Sequence, residues 1–125
     1  MNVLVIDDNA VVRDLLVVAI ERAGHRVQAV GNGNDGLDLV ERGNVDAVVT
    51  DVFMPECDGI EVLRALRARR PDLPVLVISG GSPMIDVDFL LVAKQFGAVE
   101  ILRKPVEPKE LTSALARLAG QPAAA

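Results

Sequence analysis

The chain has 125 residues, 18 acids against 13 bases for a net charge of −5, and half of its residues are hydrophobic. That size fits one domain with a real core, and the composition excludes a disordered chain. The longest unbroken apolar run, Leu15 to Ile20, is too short to span a membrane. No basic, cleavable apolar leader opens the chain, the lone Cys57 cannot form an internal disulfide, and a cytoplasmic setting is expected. The acidic balance and three aromatics argue against nucleic-acid binding.

Short runs rich in Val, Leu and Ile occur at Val3–Ile6, Val27–Val30, Ala47–Val49, Val75–Ile78 and Val99–Leu102. Several are continuous rather than alternating, the pattern of strands buried on both faces. Helical spacing intervenes. Ala10–Ala23 places Val12, Leu15, Leu16, Ala19 and Ile20 on one stripe, with Arg13, Asp14, Glu21 and Arg22 elsewhere, and Gly24 follows at the C-cap. Leu37 and Val40 suggest a second helix ending near Gly43, and Ile60–Ala68 a third, stopped before Pro71. Phe89–Phe96 reads as a fourth, and Pro108–Leu118 as a fifth, with Pro108 in its first turn. Five strands alternating with five helices predict an α/β domain with a parallel sheet and right-handed crossovers. Residues 1–119 form the expected domain, and 120–125 a tail or linker start.

Ligands of open parallel sheets bind beyond the carboxyl ends of the strands. Asp7 and Asp8 follow the first strand, Asp51 the third, Ser79 the fourth and Lys104 the fifth. Crowded carboxylates repel one another unless a cation joins them, and an all-oxygen donor set suits Mg²⁺. An Asp carboxylate can act as nucleophile toward phosphorus, with metal, Lys and hydroxyl offsetting the charge in flight. Taken singly, Asp8 or Asn9 reads as a helix N-cap, Lys104 as a solvated lysine and Ser79 as a turn residue. Their joint placement at one sheet edge favours chemistry. His25 lies in a turn away from that edge, and Cys57 reads as incidental.

Four segments carry a resemblance: Val5-Ile6-Asp7-Asp8-Asn9; Thr50-Asp51-Val52-Phe53-Met54-Pro55 with Asp58-Gly59; Ile78-Ser79-Gly80; and Gly97-Ala98 leading to Leu102-Arg103-Lys104-Pro105. In this order and spacing the chain resembles the receiver domain of two-component response regulators over nearly its whole length. The resemblance implies a flavodoxin-like fold of strand order 2-1-3-4-5 with helices on both faces. It implies that Asp51 accepts a phosphoryl group from a sensor histidine kinase or histidine phosphotransfer protein. Asp8, Asp51 and the Phe53 carbonyl would hold Mg²⁺, with Asp7 acting through water. Ser79 and Lys104 would contact the phosphoryl oxygens, and the Lys104–Pro105 bond is expected to be cis. The altered surface of the fourth helix, fifth strand and fifth helix would then control a protein partner.

Two positions depart from the pattern. Ile101 stands three residues before Lys104, where the family usually has Tyr or Phe, and Val106 replaces the common aromatic after the Lys-Pro pair. Ile101 offers no ring to rotate. The stretch from Ser79 to Gly97 is also a few residues longer than usual.

A stand-alone regulator is the expected form, with the receiver of a longer regulator as the alternative. A haloacid-dehalogenase-like phosphatase would need D-x-D after the first strand, where this chain has Asp7-Asp8-Asn9. A flavin or nucleotide binder would need a Gly-rich phosphate loop there.

Overall fold

A computed structural model describes residues 1–51, 59–79, 95, 100–103 and 105–118. The described elements run β1 (Asn2–Ile6), α1 (Ala10–Arg22), β2 (Arg26–Val30), α2 (Gly33–Arg42), β3 (Ala47–Asp51), α3 (Gly59–Arg69), β4 (Val75–Ser79), β5 (Glu100–Arg103) and α4 (Pro108–Leu118). The helix labelled α4 is the fifth of the sequence reading, because Phe89–Phe96 lies almost wholly outside the described residues. All strand pairs are parallel, in the order β2-β1-β3-β4-β5.

The two-residue period of the strands divides the core between the two faces of the sheet. Leu4, Ile6, Val48, Val75 and Val77 pack with Val62, Leu63 and Leu66 of α3 and Val40 of α2. Val3, Val5, Ala47, Val49, Leu76 and Ile78 pack with Leu16 and Ile20 of α1 and Leu111, Ala114 and Leu115 of α4. Because β1, β3 and β4 bury both faces, their sequences read as unbroken apolar runs. At the sheet edge, β2 keeps Arg26, Gln28 and Ala29 exposed.

Local chemistry sets the helix ends. Asn9 caps α1, its side chain accepting the Val12 N–H at 3.1 Å, and Asn32 does the same for Asp35 N–H at 2.8 Å in α2. Gly24 and Gly43 follow α1 and α2 at φ 96° and 88°, a backbone region that costs other residues more.

Two expectations need correction. The strands β3 and β4 extend through Asp51 and Ser79 instead of stopping before them, since Asp51 pairs with Ile78 and Ser79 with Arg103 in the ladder. An apolar run cannot reveal a polar residue that continues backbone pairing. On α1, Leu15 is not on the buried stripe: Leu16 and Ile20 face the sheet, while Leu15 is 66 % exposed beside Val11 and Val18.

Gly36 brings α2 close to the end of β1. A Cβ there would stand 2.4 Å from Cδ1 and 2.9 Å from Cγ1 of the fully buried Ile6. Gly36→Ala gains about 1 kcal/mol of helix propensity but forces repacking that typically costs about 1–3 kcal/mol. The variant should therefore unfold at lower urea concentration, and a higher midpoint would contradict this packing.

Candidate functional site

The register of β1 against β3 builds the site. Val3 pairs with Ala47 and each following residue with its counterpart up to Ile6 with Thr50. One step further, Asp7 stands opposite Asp51. Both continue the odd-numbered series Val3-Val5 and Ala47-Val49, so they leave the sheet on the α1–α4 side. Adjacency and parity together bring the two acids into one place.

Carboxylate oxygens of Asp7, Asp8 and Asp51 lie within 4.8 Å of one another. Asp7 is fully buried, Asp51 is 5 % exposed and Asp8 is open to solvent. The Asp7 N–H donates to the Val30 carbonyl at 3.1 Å, and its Oδ1 accepts the Asn9 N–H at 2.9 Å. Its own carbonyl accepts from Nη1 of Arg13 at 3.0 Å. The buried Thr50 hydroxyl donates to the Asp51 carbonyl at 3.1 Å.

Three hard oxygen donors without His or Cys fit Mg²⁺, whose charge would offset their repulsion. The exposed Asp8 could meet an ion from solvent while the two buried acids stay in place.

Ser79 ends β4 one register step beyond the Asp51–Ile78 pair, at the same sheet edge. Its partner Arg103 ends β5, immediately before Lys104. Lys104, Phe53 and Cys57 lie outside the described residues, as does the geometry of the Lys104–Pro105 bond. Pro105 itself is exposed. Ile101 is half-buried in β5 and packs against the cluster on the α2–α3 side. His25 pairs its Nδ1 with the Met1 amine at 3.1 Å, beyond the opposite end of β1. Burial, and then the nearby amine charge, lower its pKa.

Arg13 escaped the sequence reading. Its position off the apolar stripe marks no role for it, and only the reach of its guanidinium back to the preceding turn reveals one.

The response regulator receiver domain family matches residues 3–116. The chain belongs to this family. The receiver is 36 % identical over 116 residues to the DNA-binding transcriptional regulator NtrC of Azospirillum brasilense, covering 93 % of this chain and 24 % of that protein. It is 36 % identical over 118 residues to the response regulator MprA of Mycolicibacterium vanbaalenii, covering 94 % of this chain and 50 % of that protein. Its fold matches the crystal structure of a response regulator receiver domain protein from Clostridium thermocellum with a TM-score of 0.89 at 29 % identity, covering 95 % and 94 % of the two chains. The chain thus spans about a quarter to a half of the two curated relatives' length. Receivers are signalling domains of two-component systems. Among the described residues, no helix is long and apolar enough to cross a membrane.

Proposed function

We propose that this receiver accepts a phosphoryl group on Asp51 from a histidine kinase or histidine phosphotransfer protein. The convergence of Asp7, Asp8 and Asp51 at the end of adjacent strands carries the reading. In the transfer, an Asp51 carboxylate oxygen attacks phosphorus while the P–N bond to the donor imidazole breaks. The electron pair leaves on that nitrogen, which takes a proton from solvent or from the donor site.

Asp8, Asp51 and the Phe53 carbonyl would hold Mg²⁺, with Asp7 acting through water, and the ion supplies positive charge where phosphoryl oxygens gather electrons. Ser79, which ends β4, and Lys104, which follows β5 in the sequence, would donate to the same oxygens. The same groups assist the later attack of water that releases phosphate, so the domain aids its own phosphorylation and dephosphorylation.

Phosphorylation replaces one carboxylate charge with a group carrying about −1.5 to −2. With Mg²⁺ bound and Lys104 beside it, the three acids of the unphosphorylated cluster would be neutralised on paper, and those of the modified one would not. That imbalance draws in Ser79 and Lys104 and alters the β5–α4 surface and the expected helix before β5, which a protein target then reads. Residues 1–119 would constitute this domain and 120–125 a tail or the start of a linker. The greater length of the relatives favours a second form, in which the same domain is the N-terminal part of a regulator carrying an effector. Val11, Leu15 and Val18 leave an exposed apolar strip along α1.

Incubation with acetyl phosphate and Mg²⁺ tests the reading by intact mass. The protein should gain one phosphoryl group and Asp51→Asn none. A parent that gains nothing, or a variant that still gains the group, contradicts it.

A further inference from the structure

The turn that carries Asp7 and Asp8 is held from a side that the phosphoryl chemistry does not use. Arg13, in the first turn of α1, directs Nη1 at the Asp7 carbonyl, 3.0 Å away in a partly buried position. The same nitrogen sits against Gly31, where a Cβ would stand 3.1 Å from it. The guanidinium therefore lies between the β1–α1 turn and the β2–α2 turn, and the absence of a side chain at Gly31 makes the room.

Among the described residues, hydrogen bonds hold Asp7 at its N–H, which donates to Val30 of β2, at its carbonyl, which accepts from Arg13 of α1, and at its carboxylate, which accepts the Asn9 N–H. The cationic head of Arg13 is directed at a carbonyl, not at a carboxylate, so its charge neutralises none of the three acids directly. Carboxylates held within 4.8 Å of one another repel, which works against a closed turn. A charge-assisted hydrogen bond to the backbone of that turn resists the opening.

We propose that Arg13 is a positioning residue: by clamping the Asp7 carbonyl it keeps Asp7 and Asp8 in the arrangement that receives a divalent cation, and thereby sets the affinity for that cation. The part concerning the cation rests on the function proposed above. Two effects of the side chain oppose one another. Its charge repels an incoming cation, whereas its hydrogen bond pre-arranges the ligands. The bond wins, because supporting partners of metal ligands typically change affinity by about 10- to 100-fold, while a charge turned to a carbonyl at a partly exposed site is screened.

Two variants separate the effects. Arg13→Met keeps most of the stem but removes charge and donors. Arg13→Lys keeps the charge but loses the planar, multi-donor head. Calorimetric titration with Mg²⁺ should show both variants binding about tenfold more weakly. In metal-free protein, hydrogen exchange at the Asn9 amide should quicken by about tenfold in both, while core amides of β1 and β3 keep their protection. Tighter binding in Arg13→Met with no change in Arg13→Lys would mean a purely electrostatic role and overturn the proposal. Uniform acceleration of all amides would mean general destabilisation and overturn it too. A parent that binds no Mg²⁺ defeats the metal reading, and the Asn9 exchange still decides whether Arg13 fixes the turn.

Discussion

Chelating Mg²⁺ is expected to slow phosphoryl uptake from acetyl phosphate by about 100-fold or more. A divalent cation at a phosphoryl centre contributes several kcal/mol of charge stabilisation, and each 1.4 kcal/mol is about tenfold in rate. The site makes this dependence steep. Without the ion, an anionic phosphoryl donor must approach three carboxylates, two of them buried and unable to shed their field into water. Asp8→Asn should reproduce most of the loss, since it removes a ligand and leaves the phosphoacceptor untouched. Because Asp8 is exposed, the variant should keep the parent's fold in the absence of metal. The rate of mass gain, with and without EDTA, decides the matter, and uptake within tenfold of the parent in both cases would contradict the role given to the ion.

Asp7→Asn should act in the opposite direction on stability. Two unit charges just under 5 Å apart at an effective dielectric of about 20 repel by roughly 3 kcal/mol, and Asp7 is fully buried beside the nearly buried Asp51. An Asn at this position retains an oxygen to accept the Asn9 N–H, so the turn keeps that bond. Part of the repulsion is already relieved by solvent near Asp8, which leaves an expected gain of about 1–2 kcal/mol in metal-free protein and a melting temperature higher by roughly 4–8 °C. Mg²⁺ at about a hundred times its dissociation constant should stabilise the parent by about 2.7 kcal/mol and the variant far less. Thermal unfolding at several Mg²⁺ concentrations reads both effects. A metal-free variant that melts at or below the parent would show that the cluster is not under charge strain.

Much of this was legible in local sequence pattern. The runs at Val3–Ile6, Ala47–Val49 and Val75–Ile78 announce strands buried on both sides, and the structure places them in the sheet's centre. Helix starts were readable from the Asp8-Asn9 pair, of which Asn9 is the cap, and from Pro108, because caps act within a few residues. The strand order was not: pairing β1 with β3 is a non-local event, and the order came with the family resemblance. Nor does the pattern reveal that Asp7 and Asp51 share a face, which follows only from the observed register. Leu15 misled the reading because 3.6-residue spacing places it near the buried stripe, while the angular width that the sheet covers on α1 ends at Leu16 and Ile20. Arg13 was invisible for a related reason. A long side chain reaching back to an earlier turn has no periodic signature.

The central claim is that one particular carboxylate becomes the acyl phosphate. Borohydride reduction of the acetyl-phosphate-treated protein converts an aspartyl phosphate to homoserine, and peptide sequencing by mass spectrometry locates that residue. The account predicts homoserine at position 51 and at neither Asp7 nor Asp8. Reduction at either of those acids, or a phosphoryl group recovered on His25 or on a hydroxyl, would contradict it.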